Sequence, residues 1–255
     1  MHRARFGFGK GEYNVVFNFF RGLRPIVEKF SPDRAYFVLE GMPKGNKELL
    51  SEYKANRPRS PETFRRQRKI IESLMGITPI QSILHEDYEA DDVIYTLAKN
   101  YAADEENEVF IVSTDSDFIQ IYNEFDNVTI WHPVKKKVVP APDYDYLLWK
   151  SLRGDKTDNI PGIKGIGDKT AEKLVRDQTL LAERMKDPNF AAQQERNYKL
   201  IQLEDISEKL SECVCFGEKT DFDALRSAFQ EFEFSSMTKE KAWQKWVSTF
   251  SCLES

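Results

Sequence analysis

Cysteine is scarce in this chain: three residues, Cys213, Cys215 and Cys252. A small, odd number argues against a disulfide framework and fits a reducing cytosol. Cys213-Val214-Cys215 has no second ligand pair, which argues against a structural zinc site. Long apolar runs are missing too, and none approaches the ~20 residues a membrane helix needs. The start, Met1-His2-Arg3-Ala4-Arg5, is basic but no apolar segment follows it, so secretion is not expected and a cytoplasmic location is. Internal repeats and low-complexity tracts are absent. What is there, 255 residues with 40% hydrophobic and 31% charged side chains, suffices for one large domain or a domain with a subdomain.

The net charge of −5 conceals segregation. From Lys44 to Lys69 nine Lys/Arg face three Asp/Glu. From Glu86 to Asp117 there are eleven acids and one base, Lys99. From Lys150 to Arg176 seven bases outnumber four acids. Each run alone is what a solvated helix face looks like. Their order, basic, acidic, basic, is the one expected when two surfaces grip a polyanion around a cation-holding centre.

Val16, Phe19, Phe20, Leu23, Ile26, Val27 and Phe30 recur at helical spacing, so Gly11–Phe30 is expected to be an amphipathic helix ended by Ser31-Pro32-Asp33. Ala35–Leu39, Val109–Val112 and Val128–Trp131 are short apolar runs suited to buried strands. Pro61–Met75 is a basic helix, and Ala90, Val93, Ile94, Leu97, Ala98 and Tyr101 mark another. Strands alternating with helices argue for an α/β fold with a mostly parallel sheet. After about Pro133 the pattern turns helical, with candidates at Tyr146–Leu152, Lys169–Arg176, Glu195–Leu203 and Phe222–Glu231. The expected division is 1–138 and 139–255.

Three short clusters gather seven carboxylates: Glu89, Asp91 and Asp92; Asp115 and Asp117; Asp155 and Asp158. Acids at a helix start complement its dipole, and Asp-Ser-Asp after a strand can cap the next helix, so each cluster has a structural explanation of its own. Together they would repel one another without cations among them, and hard divalent ions take oxygen ligands and sit beside phosphates. Glu40 and Asp115 each follow a strand, at the carboxyl end where open α/β folds bind ligands. Two cations there can acidify water, orient a phosphodiester and stabilise its leaving oxygen. A metal-dependent phosphodiesterase is the expectation; a phosphomonoesterase of another α/β type is disfavoured by the flanking basic segments.

Gly162-Ile163-Lys164-Gly165-Ile166-Gly167-Asp168-Lys169-Thr170-Ala171 runs straight into a helix. Glycine admits a phosphate to the backbone, and free N–H groups at a helix start bind anions. Lys164 and Lys169 add charge that reads no sequence, and Gly165, Gly167 and Thr170 complete a helix-hairpin-helix pattern that grips a duplex backbone. Upstream, Lys54 and Arg57 are candidates to meet the scissile phosphate, and Arg65, Arg66, Arg68 and Lys69 to line a wall beyond. Tyr53 either stacks on an end base or packs in the interior. Segment 44–60 offers little apolar surface to anchor it, so it is expected to order only with substrate.

Glu52-Tyr53-Lys54-Ala55-Asn56-Arg57-Pro58, Tyr88-Glu89-Ala90-Asp91-Asp92, Ser113-Thr114-Asp115-Ser116-Asp117 and Gly154-Asp155-Lys156-Thr157-Asp158-Asn159-Ile160-Pro161-Gly162 together resemble the flap endonuclease/5′–3′ exonuclease family of bacterial and phage type, over roughly residues 10–235. The resemblance implies a PIN-like α/β core over 1–138, a helical arch over 43–76, and a helix-three-turn-helix subdomain over 139–255 with its hairpin at 154–176. It implies a structure-specific 5′ nuclease that cuts 5′ ends and 5′ flaps of DNA or RNA–DNA hybrids as a monomer, in primer removal and repair. Glu89, Asp91, Asp92 and Asp115, with Glu40, would surround a first Mg²⁺, and Asp117, Asp155 and Asp158 a second, with Mn²⁺ able to substitute. Lys54 matches the arch lysine, and a K⁺ is a candidate at Gly162–Gly167.

Two departures stand out. The family begins with a strand ending in an Asp of an Ile-Asp-Gly-like motif, and no such strand is seen here. Its Phe-Asp-Gly is Leu39-Glu40-Gly41 in this chain. A fragment, a misassigned start and a weakened first metal site remain open readings, and the last supports an alternative function, a structure-specific DNA-binding module with little or no catalysis. No polymerase region is seen, which is expected of a stand-alone nuclease.

Overall fold

The computed structural model describes residues 11–42, 50, 53–55, 60–217 and 219–253. Two compact units divide the chain: 1–40, 59–85 and 212–255 form one, and 41–58 with 86–211 the other. The C-terminal segment 212–255 supplies a strand and helices to the same unit as residues 11–40.

In the first unit, α1 (Asn14–Phe30) buries Val15, Val16, Phe20 and Val27. Its first turn has no side-chain cap of its own; instead Gln67, buried on α2 (Glu62–Met75), accepts from the Val15 amide at 2.8 Å. The helix stops at Ser31, which turns left-handed (φ 42°) and donates its N–H to Val27 O. β1 (Tyr36–Leu39) pairs in parallel with β2 (Gln81–Leu84), Tyr36 opposite Gln81 and Leu39 opposite Leu84. β6 (Val214–Phe216) closes β2's other edge antiparallel. The core is aromatic: Phe20 meets Phe229 edge-on at 5.1 Å, and Trp246 stacks on Phe250 at 3.9 Å. Phe229 and Phe250 come from α8 (Phe222–Glu231) and α10 (Glu240–Phe250), with the short α9 (Ser235–Thr238) between them.

The second unit repeats the parallel theme. β3 (Val109–Val112) pairs in parallel with β4 (Val128–His132), and β5 (Lys137–Val138) adds an antiparallel edge. The parallel pairings expected from the strand–helix alternation are therefore present, and each three-stranded sheet also carries an antiparallel strand. α3 (Ala90–Ala102) packs against β3 through Tyr95, Ala98, Ala102 and Ile111. The helical part comprises α4 (Tyr146–Arg153), α5 (Asp168–Arg176), α6 (Gln178–Met185) and α7 (Pro188–Ile201). α7 begins at Pro188 rather than at the expected Glu195, because Asp187 caps it by accepting from Asn189 N and Pro188 fits the first helical position. Of the expected arch over 43–76, only 50, 53–55, 60 and α2 with Pro61 and Gly76 are described.

Candidate metal centre and nucleic-acid hairpin

The centre lies in the second unit, where three carboxylates converge. Asp117, Asp155 and Asp158 each place an oxygen within 4.8 Å of the others. Asp117 opens a 3₁₀ turn, Asp117–Asn123, just after β3. Gln120 in that turn is buried and pins it: its amide donates to Asp117 O at 2.8 Å and to Ile201 O at 3.2 Å, and accepts from Leu203 N at 3.0 Å. Asp155 and Asp158 come from a six-residue loop pinched shut by paired hydrogen bonds, Asp155 N to Ile160 O and Ile160 N to Asp155 O.

Two glycines allow that pinch. A Cβ on Gly162 would stand 1.9 Å from Arg153 O, and one on Gly154 (φ 80°) would stand 2.3 Å from Gly162 N. No L side chain fits at either position. The bracketing glycines of Gly-Asp-Lys-Thr-Asp-Asn-Ile-Pro-Gly thus serve close backbone packing. α7 buttresses the loop: Asn197, fully buried, donates to Ser151 O at 2.9 Å and Pro161 O at 2.8 Å.

Two lysines stand among the acids. Lys54 pairs with Glu89 and reaches Asp158 at 3.8 Å, while its own N–H donates to Asp158 O at 2.9 Å. Lys150, on α4 and 3% exposed, pairs with Asp117 and with Asp155 at 2.5 Å. The two ammoniums offset only part of the negative charge gathered here. Burial, joined by the Asp115 and Asp155 charges and opposed by Lys150, pushes the Asp117 carboxyl up to about 6. Burial works against the charge of Lys150, yet Asp117 and Asp155 raise its pKa well above the usual lysine range. Asp155 is itself desolvated, but Lys150 and the Thr157 and Asp158 amides hold its carboxyl below the usual range.

The other expected ligands are placed differently. Glu89 is the residue before α3, but its side chain caps nothing; it is buried and turned to Lys54. Asp92 accepts from Glu204 N at 2.9 Å, and burial, with Glu89 and Glu204 nearby, raises its carboxyl to about 6 against that hydrogen bond. Asp115 is exposed and accepts from Asp117 N at 3.0 Å, a local turn that leads into the 3₁₀ segment. Asp91 lies half-buried in the first turn of α3. Glu40 follows β1 and belongs to the first unit. Among the described residues, the convergent set is the one expected around the second metal.

Of the expected catalytic pair, Lys54 is at the centre and Arg57 lies outside the described residues. Tyr53 takes the packing alternative: it is buried with Leu147, Ile160, Leu200 and Ile201, so its ring is not offered to a base. Arg65, Arg66 and Lys69 are exposed on α2 and Arg68 is half-exposed; Arg66 pairs with Glu12 and Arg68 with Glu72. In the hairpin, Ile163 N bonds Leu152 O, and Ile163, Ala171 and Leu174 form the core between α4 and α5. Lys164, Gly165, Gly167, Lys169 and Thr170 are all exposed. Gly165 has φ 81° and open space around it; Gly167 precedes α5 with extended backbone.

Lys150 and Asn197 were not singled out from the sequence. The signal for Lys150 was a charge at helical spacing from Tyr146 and Leu147, on the stripe that faces the interior.

An acidic centre beside a parallel strand pair, joined to an exposed glycine- and lysine-bearing hairpin, is what a metal-dependent nuclease requires. Two family models match the chain in order: the 5′–3′ exonuclease N-terminal resolvase-like domain over residues 4–145, and the 5′–3′ exonuclease C-terminal SAM fold over residues 142–226. The 5′–3′ exonuclease of Aquifex aeolicus is 30% identical over 250 residues, covering 89% of this chain and 84% of that protein. The thermostable DNA polymerase I of Thermus thermophilus is 32% identical over 212 residues; the match spans 76% of this chain and 25% of that polymerase. The flap endonuclease of bacteriophage T5, solved as a complex with DNA and metal ions, has the same fold, with a TM-score of 0.63, 17% identity, and coverage of 98% of this chain and 95% of that one. The chain belongs to the 5′–3′ exonuclease family.

Proposed function

We propose that this protein is a structure-specific 5′ nuclease that hydrolyses phosphodiesters at 5′ ends and 5′ flaps of DNA, and of RNA–DNA hybrids, as a cytoplasmic monomer serving primer removal and repair. The observation that carries the reading is the convergence of Asp117, Asp155 and Asp158 in the same unit as the exposed hairpin.

The donor set fits a hard divalent ion: three carboxylates, no thiolate and no imidazole. Asp117, Asp155 and Asp158 would hold one Mg²⁺ ion, or Mn²⁺ in its place. Glu89, Asp91, Asp92 and Asp115 would surround the other Mg²⁺, the first of the expected pair. Bound there, such ions supply acidified water and charge stabilisation at the leaving oxygen. The chain's own part is positional. Asp155 and Asp158 are fixed by the pinched loop, and Asp117 by Gln120. Lys54 is held by Glu89 and Asp158 at the edge of the acids, where its ammonium can meet the scissile phosphate. Lys164 and Lys169 hold the duplex backbone beside the exposed N–H groups that open α5, and the reading extends to a K⁺ on the hairpin's backbone carbonyls.

Cleavage of a 5′-labelled flap duplex, with and without Mg²⁺, tests the proposal. Mg²⁺-dependent product near the junction is the expected result. Salt-sensitive binding to the branched duplex with no product would replace it with a DNA-binding module.

A further inference from the structure

Lys150 is a buried cation inside the acidic centre. Its side chain is 4% exposed, on the inward stripe of a helix, whereas Lys54 lies on a short turn with φ 54° and a side chain 17% exposed. Lys54 is partly open to solvent; Lys150 is enclosed. Its ammonium pairs with Asp117 and with Asp155 at 2.5 Å, two of the three carboxylates that converge. A buried ammonium is costly unless carboxylates offset its lost hydration, and closely packed carboxylates repel unless a cation or a proton sits between them.

From this geometry we propose that Lys150 is the resident counter-ion of the acidic centre. It holds Asp117 and Asp155 together when no metal is bound, and it yields at least one of them when a divalent ion enters. It thereby sets the metal affinity of the centre. The proposal rests on reading Asp117, Asp155 and Asp158 as metal ligands. The physical basis is competition: an ammonium and a divalent ion repel, and the oxygens that bind one are the oxygens that bind the other. Four methylenes let the lysine withdraw without moving α4. Lys150 is on this account a positioning residue.

The test is Mn²⁺ binding by calorimetry, with melting temperature in chelator, for the full chain and for Lys150→Met and Lys150→Arg. Methionine keeps the unbranched stem and loses the charge; arginine keeps the charge. The expected result is Mn²⁺ affinity raised tenfold or more in Lys150→Met and within threefold of the parent in Lys150→Arg. In chelator, Lys150→Met melts below the parent and Mn²⁺ restores it. The double variant Lys150→Met/Asp155→Asn, which removes the excess negative charge, recovers the metal-free melting temperature. Equal or weaker Mn²⁺ binding by Lys150→Met overturns the proposal, as does a double variant no more stable than the single one. Failure of Mn²⁺ to bind any of these proteins overturns the metal reading beneath it as well.

Discussion

The two compact units are consolidated by different interactions. The first is built on apolar contact: Phe20, Phe229, Trp243, Trp246 and Phe250 share one core, and its buried polar residues, Gln67, Thr78, Ser82 and His85, include no Lys, Arg, Asp or Glu among the described residues. The second divides its apolar residues among three smaller clusters and buries Glu89, Lys150 and Asp158 with Gln120, Gln194 and Asn197. Apolar contact is non-directional and roughly proportional to area. Hydrogen bonds and ion pairs fix direction, at the risk of a large penalty when one partner is lost. Like charges a few ångströms apart can be held only by the second kind of interior. The first unit is therefore expected to tolerate substitution by degrees, and the second to fail at particular atoms.

The largest effect should follow Asp117→Ala. It removes a convergent ligand and leaves Lys150 with one carboxylate, so flap cleavage should fall by about two orders of magnitude or more, as losses of groups essential to catalysis do, while binding of the duplex stays largely intact. Unchanged turnover would remove Asp117 from the site. Next is Phe229→Ala in the first unit. Deleting a fully buried aromatic costs about 3–5 kcal/mol, read as a lowered denaturation midpoint, with Mn²⁺ affinity in the surviving folded protein unchanged. A loss of metal affinity matching the loss of stability would abolish the distinction between the units. Asn197→Leu comes third. It strands the Ser151 and Pro161 carbonyls for roughly 1–3 kcal/mol, a cost smaller than that of Phe229→Ala, yet it should lower Mn²⁺ affinity where Phe229→Ala does not.

The sequence made some of this legible and hid the rest for physical reasons. Phe222–Glu231 is a helix with the bounds that its apolar spacing implies, and β3 occupies the four apolar residues Val109–Val112. Local pattern suffices where one segment makes its own structure. β6 could not be read: Val214, Cys215 and Phe216 form a strand because β2, some 130 residues earlier, offers an edge, and three residues carry no periodicity. The acids divide the same way. Their clustering was visible, but whether Asp92 points to a metal or to Glu204 N depends on where the end of α7 brings Glu204. Gly162 was read as a place for a phosphate to approach, and its nearest neighbour proves to be Arg153 O. A glycine in a sequence signals close approach without saying of what.

The smallest effect separates the remaining hairpin glycines, and it divides backbone conformation from phosphate contact. Gly165 has φ 81°, a region L residues rarely occupy, and nothing lies within 4 Å of where its Cβ would be. Gly165→Ala should therefore cost about 1–2 kcal/mol from conformation alone. Gly167 has φ −101° and equally open surroundings, so Gly167→Ala should leave stability within about 0.5 kcal/mol of the parent. If the hairpin lies against a duplex backbone, the order reverses for binding. A methyl group at Gly167 would stand beside the exposed N–H groups that open α5, where a phosphate must come close. Gly167→Ala should then weaken flap-duplex binding several-fold at unchanged melting temperature, measured by fluorescence anisotropy at fixed salt. Unchanged binding by a stable Gly167→Ala protein would move the duplex contact off this loop and onto the lysines alone.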